Sequence, residues 1–340
     1  MTLDEIFQQI IQGLSGDSAT DIDYLNAQIK AYSDHPQSAD ITRMCSRMIS
    51  ERMPESERQA AFEQLLNEAL RPMADDLEQA RHLLQEGDYE QAKTVLEALA
   101  AKADDAEARG FFQNDAMSEY YCFSEPFEEI LFMTRQKPSR EVRQAALPFA
   151  DIYHSYGRVL METKAYEKAG DMLKKAMRYN PANAKLALDA AACANAQGDM
   201  EQMMEATRKA FKYAFHVDDL LQCYLNVGQY FMAQGQWAEA KGCILFGMEF
   251  DKESPVAQAA LDTIAAEAGD VVSPVIEVME ALSAIHDFPL GADETIIGLA
   301  YQYGQLFAMQ QNNDAARYFL HIAYELTQGE EIKLILDKLG

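Results

Sequence analysis

The stretch that decides the fold is Ala150–Pro181, ADIYHSYGRVLMETKAYEKAGDMLKKAMRYNP. Read at helical spacing, each half of it carries an apolar stripe. The first stripe consists of Tyr153, Tyr156, Leu160 and Met161, and the second of Ala169, Leu173, Ala176 and Met177. A polar turn at Thr163–Ala165 separates the halves, and Asn180-Pro181 ends the second because a residue before proline disfavours the α conformation. The stretch predicts an antiparallel helix hairpin whose remaining apolar side must be covered by neighbours.

The spacing of small and large residues in this hairpin resembles the tetratricopeptide repeat (TPR), a helix pair of about 34 residues. Nine residues fall on the signature positions of that family: Tyr153, Tyr156, Gly157, Leu160, Tyr166, Ala169, Leu173, Ala176 and Pro181. Three of them depart in residue type, since Tyr153, Tyr156 and Leu160 stand where the family has tryptophan, leucine and tyrosine.

Further copies begin at residues 73, 184, 221 and 297. Together with the start at 150, the gaps are 77, 34, 37 and 76 residues, so each long gap has room for one degenerate pair. The resemblance therefore implies an all-α, right-handed superhelical solenoid of about seven TPR-like helix pairs, preceded by an N-terminal helical cap.

The chain is predicted to have three segments. Residues 1–72 form a divergent N-terminal capping segment with candidate helices at Leu3–Leu14, Asp21–Ser33, Ser38–Met53 and Glu55–Leu70, of which Asp21 and Ser38 suit N-caps. Residues 73–330 form the solenoid, in which Val256–Pro289 is expected to supply one divergent pair. Residues 331–340 form a C-terminal capping helix.

Residues 111–132 hold seven aromatic side chains in 22 positions, and we expect a helix pair over Gly110–Ala146, which contains them. Two interpretations remain open for them. They line a pocket for a peptide side chain, or they form a thick core seam between two imperfect repeats.

Composition restricts the classes of partner. The chain has 29 Lys+Arg against 55 Asp+Glu, a net charge of −26, which disfavours binding to nucleic acid or to an anionic membrane. Its five widely spaced cysteines are typical of small buried residues in a reducing compartment. The acidic start MTLDEIFQQI does not resemble a secretory signal. We therefore expect a cytoplasmic protein.

No catalytic or cofactor motif occurs in the sequence. It lacks the phosphate-binding, dinucleotide-binding, zinc-protease and nucleophile-elbow motifs, and its six histidines are scattered. We expect no enzyme activity, no cofactor and no metal site.

The resemblance implies a ligand groove lined by the first helix of each pair. Carried over to this sequence, the groove positions include His154, Arg158, Lys185, Asn226, Gln229 and Tyr301. Residues 135–185 hold eleven Lys+Arg against five acids, a local excess of cations. One hypothesis is that Arg158 and Lys185 hold a carboxylate of an extended peptide while Asn226 bonds to its backbone. The alternative is that most of these cations lie on exposed second-helix faces and pair with acids.

Our first functional prediction is a non-enzymatic scaffold that binds a protein or peptide in this groove; the oligomeric state is left open. The second is an acidic, chaperone-like carrier for a basic protein partner. A peptide-sensing regulator with a DNA-reading N-terminus is disfavoured, because residues 1–60 hold five Lys+Arg against ten acids.

Overall fold

The computed structural model describes residues 2–65, 70–108, 112–115 and 117–339. These residues form eighteen helices and one pair of short strands, so the prediction of an all-helical chain is confirmed in this coarse form. The first eight helices are Leu3–Gln12 (α1), Ser18–Ala31 (α2), Ser38–Arg52 (α3), Glu55–Leu65 (α4), Arg71–Glu86 (α5), Tyr89–Ala108 (α6), Pro126–Gln136 (α7) and Phe149–Glu162 (α8). The next ten are Tyr166–Tyr179 (α9), Ala184–Ala196 (α10), Met200–Phe211 (α11), Val217–Ala233 (α12), Trp237–Met248 (α13), Pro255–Ala268 (α14), Ile276–His286 (α15), Glu294–Met309 (α16), Asn313–Thr327 (α17) and Glu330–Leu339 (α18).

The chain divides into two compact units, each built from two separate stretches of sequence. Unit 1 comprises Met1–Cys122 and Lys137–Val159, and unit 2 comprises Phe123–Gln136 and Leu160–Gly340. Helix α7 thus belongs to unit 2, although the residues on either side of it in sequence belong to unit 1.

The start of unit 1 is held by a small apolar core between α1, α2 and α3. Its buried members include Ile6, Ile10, Leu25, Ile41 and Met44. The N-cap of α2 is Asp17, whose carboxylate accepts from the backbone N–H of Thr20. The prediction of Asp21 as this cap is therefore wrong. Asp21 is buried one turn later, where its carboxylate accepts from Ser15 and Arg52. Of the predicted helix Glu55–Leu70, residues 66–69 lie outside the described residues.

The same turn joins the two helices of five hairpins. In each, one residue takes the left-handed conformation, and its N–H bonds to the carbonyl three residues back. The next N–H bonds to the carbonyl five residues back, which closes the end of the first helix. The left-handed residues are Gly87, Lys164, Gly198, Gly235 and Gln311. Their separations of 77, 34, 37 and 76 residues equal the gaps between the copies seen in the sequence.

The second helix of each hairpin buries three residues at positions i, i+4 and i+7. These triads are Ala92/Leu96/Leu99, Ala169/Leu173/Ala176, Met203/Thr207/Ala210, Ala240/Ile244/Gly247 and Ala316/Leu320/Ala323. In two hairpins a glycine of the first helix makes the close approach possible. A Cβ at Gly228 would lie 2.9 Å from Ile244 Cγ1, and one at Gly304 would lie 2.5 Å from Leu320 Cγ.

The expected helix pair in the aromatic segment is wrong. Strand β1 (Ser118–Tyr121) pairs in parallel with β2 (Glu141–Gln144) in unit 1, Ser118 opposite Glu141, and only α7 of unit 2 lies between them in sequence. Side chains that bind nearby backbone explain the extended chain. Asp115 accepts from the N–H groups of Met117 and Ser118, each at 2.8 Å, and so competes with helical bonding.

Residues 255–289 form two helices, α14 and α15, and each of them contacts α13. The loop after α15 is bound by the preceding hairpins. Arg208 Nε donates to the carbonyl of His286 at 2.7 Å, and the Tyr224 hydroxyl donates to the carbonyl of Pro289 at 2.9 Å. In the part of the chain that the structure describes, no helix has both the length and the apolarity needed to cross a bilayer.

Candidate functional site

The six predicted groove residues are divided between the two units. His154 and Arg158 lie on α8 in unit 1, His154 half-buried and Arg158 exposed. Lys185 on α10, Asn226 and Gln229 on α12, and Tyr301 on α16 lie in unit 2. Lys185 is exposed, whereas Gln229 and Tyr301 are half-buried.

Asn226 is buried and its amide already has partners. Its Nδ2 donates to Thr207 Oγ1 at 3.1 Å, and its Oδ1 accepts from Gln222 Nε2 at 2.9 Å. Thr207 occupies the triad position that holds leucine or isoleucine in the other hairpins, and it also donates to the carbonyl of Met203. Asn226 therefore satisfies a polar residue of the core, and we do not retain it as a contact for a peptide backbone.

Gln229 links neighbouring first helices. Its Nε2 donates to Asn195 Oδ1 at 3.2 Å, which joins α12 to α10. These two helices therefore lie side by side and present half-buried polar side chains along one face.

Helix α7 is fixed to the loop between α9 and α10 by the carboxylate of Glu128, which is only 2% exposed. The carboxylate accepts from the N–H groups of Ser124 and Glu125 at the start of α7, at 2.6 and 3.2 Å. It also accepts from Asn180 Nδ2 at 2.8 Å and Asn183 Nδ2 at 2.7 Å. Burial raises the pKa of Glu128, and the bonds from Asn180 and from the N–H groups of Ser124 and Glu125 oppose that rise in part.

A second contact ties α7 to two later helices. Glu125 bonds to His216 Nε2 at 2.9 Å, at the start of α12, and accepts from the Tyr318 hydroxyl of α17 at 2.8 Å. The bond to Glu125 raises the pKa of His216, and the bond to His216 is the largest cause of the lowered pKa of Glu125. Phe127 of α7 is buried between Phe215 and Phe319, whose ring centroids lie 5.2 and 5.6 Å from its own.

These contacts bear on the aromatic segment. Phe127 is core, and Phe123 packs against Phe132 with ring centroids 5.5 Å apart. In unit 1, Phe112 packs edge-on against Tyr120 and Phe149. Phe111 lies outside the described residues. The aromatic side chains named here pack as core seams, one in each unit.

Near the N-terminal end of α7 lies a cleft of about 420 Å³, which we call the acidic cleft. Its lining includes Glu125, Glu128, Asp218, Asp219, His216 and Lys185. Burial raises the pKa of Asp219, and the charges of His216 and Lys185 oppose that rise. Lys185 thus stands among acids of its own chain, which weakens the hypothesis that it holds a carboxylate of a partner.

Near the C-terminal end of α7 lies a cleft of about 350 Å³, which we call the cationic cleft. The charged residues that line it are Arg178, Lys209 and Lys212. They stand at the C-terminal ends of α9 and α11, where cations favour the negative end of the helix dipole. Asn183 lines both clefts.

Many other cations of residues 135–185 pair within the chain. Arg135 pairs with Asp293 at 2.9 Å, Arg140 with Glu119 at 2.5 Å and Arg143 with Glu141 at 2.8 Å. These three arginines pair with acids, as the alternative predicts, but they lie on α7, in the loop after it and on β2, and not on a second-helix face. The guanidinium of Arg178 lies 4.7 Å from the ring centre of Tyr179, and Arg178 lines the cationic cleft.

The described residues contain no group of three or more His, Cys, Asp or Glu side chains that could hold a metal ion. The five cysteines are buried, as the sequence predicts, and none is in a disulfide. Burial raises the pKa of Cys45 and Cys122 to about 11 and that of Cys243 to about 12, so these thiols stay protonated at neutral pH.

No protein-family model matches the chain, and no curated protein matches it. The assignment of function therefore depends on the residues and on the geometry described above.

Proposed function

We propose that the chain is a TPR-like repeat scaffold that binds an extended segment of another protein and performs no chemistry. The observation that carries this proposal is the recurrence of one turn and one buried triad in five hairpins, at the spacing of the sequence copies. In unit 2 each second helix packs on the first helix of the next hairpin, α9 on α10, α11 on α12 and α13 on α14. Stacked repeats of this kind present an extended concave face. Repeat proteins of this kind use that face to bind peptides.

In unit 2 the proposed binding face consists of α10 and α12 around Asn195, Gln222 and Gln229, with Tyr301 on α16 as a further contact. Amide side chains suit an extended peptide, since they can both donate to and accept from its backbone. In unit 1, His154 and Arg158 of α8 are the corresponding residues by the TPR register.

A peptide array followed by fluorescence anisotropy tests this function. We expect the selected peptides to bind less tightly, by about threefold or more, to the Gln229→Ala and Tyr301→Ala variants, because each loses a contact to the peptide. Glu249→Ala, an exposed change at the end of the second helix α13 that lines neither cleft, serves as the control and should keep wild-type affinity. Equal loss in all three variants, or no selected peptide at all, would reject the proposal.

A second candidate is the acidic carrier for a basic protein. It is favoured by the net charge of −26 and by the exposed apolar side chains of α15 and the residue before it, Val275, Val278 and Ile285, which alternate with Glu277 and Glu280. Raising the salt concentration from about 50 to 500 mM should weaken capture of a basic partner steeply and weaken docking on the first helices much less. Under either candidate we propose a cytoplasmic protein that binds neither nucleic acid nor membrane.

A further inference from the structure

We propose that the cationic cleft binds an anionic side chain, a carboxylate or a phosphorylated hydroxyl, carried by the extended segment that the scaffold holds. This inference rests on the proposed function, and it adds the chemistry of the ligand and a second place of contact. The cleft lies between α7, the second helices α9 and α11, and the start of α10, where Ala187 lines it. None of the six predicted groove residues lines it.

The charge of the lining is the first support. Its charged residues, Arg178, Lys209 and Lys212, are all cations, in a chain with 26 more acids than bases. Lys209 pairs with Glu205 at 2.7 Å. Lys212 is exposed and has no ion-pair partner among the described residues. An isolated cation beside a concave surface is available to an incoming anion.

Tyr213 supplies an independent observation. It lines the cleft and is only 6% exposed. Its hydroxyl oxygen accepts a hydrogen bond from Gln136 Nε2 at 2.8 Å, so the oxygen is satisfied. Among the described residues, its O–H hydrogen has no acceptor. The O–H hydrogen is therefore available to an anion in the cleft, and a hydrogen bond to a charged acceptor is stronger than one to a neutral acceptor.

The shape of the cleft agrees with such a ligand. A volume of about 350 Å³ holds an amino-acid side chain with a phosphoryl group, and Met177, Pro181 and Ala187 give it apolar walls. The three cations are exposed, so their attraction for a bound charge weakens as the salt concentration rises. Arg178 can hold two oxygens of one anion with its planar guanidinium, while Lys212 acts as a mobile point charge.

Fluorescence anisotropy with three peptides of one sequence tests the inference; they differ at one site, which carries Glu, phosphoserine or Gln. At low salt we expect the Glu and phosphoserine peptides to bind about fivefold or more tighter than the Gln peptide, an advantage that falls as salt rises. Lys212→Gln and Arg178→Gln should remove most of this advantage, and Tyr213→Phe should reduce it. Lys252→Gln is the matched control, because Lys252 is exposed in unit 2 and does not line the cleft.

The arms of the experiment separate the possible results. A larger advantage for phosphoserine than for Glu assigns the site to phosphorylated segments, and the reverse assigns it to acidic ones. Equal binding of all three peptides, or equal effects of Lys212→Gln and Lys252→Gln, would overturn the inference while the scaffold function stands. Calorimetric titration with inorganic phosphate covers the remaining case. If no peptide binds but phosphate binds in a Lys212-dependent manner, the peptide-scaffold function fails and the cleft remains an anion site.

Discussion

Glu128 accepts a hydrogen bond of 2.7 Å from Asn183, although the two residues are 55 positions apart in sequence. The same carboxylate accepts from Asn180 and from two N–H groups at the start of α7. One buried side chain thus closes the start of α7 and binds the start of α10, next to both clefts.

We expect Glu128→Ala to lower the free energy of unfolding by about 2–4 kcal/mol, because one buried and three part-buried hydrogen bonds lose their acceptor at once. Urea unfolding followed by circular dichroism measures the change. Glu129→Ala is the control, since Glu129 is exposed on the same helix and should change stability by less than about 0.5 kcal/mol. Similar effects for the two variants would show that the carboxylate of Glu128 does not hold α7.

The pair Glu125–His216 predicts a stability that depends on pH in two directions. The pKa of His216 is raised in the folded protein. Its contribution to stability is therefore complete below the unfolded pKa of about 6.5 and is lost as the pH rises through the folded pKa. The pKa of Glu125 is lowered in the folded protein. Its contribution to stability is therefore present above the unfolded pKa of about 4.5 and is lost as the pH falls through the folded pKa. The advantage of wild type over His216→Asn should therefore be largest near pH 5.5 and shrink toward pH 8 and pH 3.

Urea midpoints of both proteins, measured at intervals from pH 3 to pH 8, give this difference directly. His321→Asn is the control, because His321 is exposed and has no hydrogen-bond partner among the described residues. A difference that stays constant across the pH range would contradict the pairing.

Thr207 and Asn226 should be coupled in stability. Asn226→Leu leaves the Thr207 hydroxyl without its donor, and Thr207→Leu leaves the Asn226 Nδ2 without its acceptor, so each is expected to cost about 1–3 kcal/mol. The double variant should cost less than the sum, because it restores the apolar triad of the other hairpins. A double-mutant cycle by urea unfolding measures the coupling, and strict additivity would count against it.

Two glycines in helix α16 should respond in opposite ways to the same substitution. Gly304→Ala places a methyl group 2.5 Å from Leu320 Cγ and should destabilise the protein by about 1–3 kcal/mol. Gly298→Ala meets nothing within 4 Å and should stabilise it by about 0.5–1 kcal/mol through helix propensity. Thermal unfolding of the two variants checks both signs, and equal shifts would refute the close packing of α16 on α17.

The buried thiols predict slow alkylation of the native protein. Burial raises the pKa of all five cysteines, so little thiolate exists at pH 8. Iodoacetamide should therefore label the cysteines rapidly only in denaturant, as mass spectrometry can count. Rapid labelling of a cysteine in the native protein would show that its segment opens.

The repeated hairpins were readable from the sequence because their signal is local. A left-handed turn such as Gly235, with a triad such as Ala240/Ile244/Gly247 after it, lies within a single repeat, and its spacing survives even where residue types drift. Thr207 shows the limit of that reading. It breaks the pattern in its own repeat, and its partner Asn226 belongs to the next.

The strand pair and the position of α7 depend on contacts that no local pattern contains. Asp115 pairs with Arg47 across 68 positions, and Tyr318 donates to Glu125 across 193. The register of the repeat predicts Lys185 and Asn226 as groove residues. It does not show that acids line the cleft around Lys185, or that Asn226 is already hydrogen-bonded to Thr207. The two clefts beside α7 could not be predicted from the repeat pattern either, because α7 is not part of the repeat.

Helix α7 belongs to unit 2, whereas the strands before and after it belong to unit 1, and this limits how the protein can be divided into fragments. The chain passes from one unit to the other three times, after Cys122, Gln136 and Val159, so no single cut yields two intact halves. A fragment beginning at Leu160 would keep α10, α12 and α17 but lose Glu125, Phe127 and Glu128, to which they are bonded or packed. Any property measured on such a fragment will therefore also reflect the loss of these contacts, so point substitutions in the intact chain are preferable.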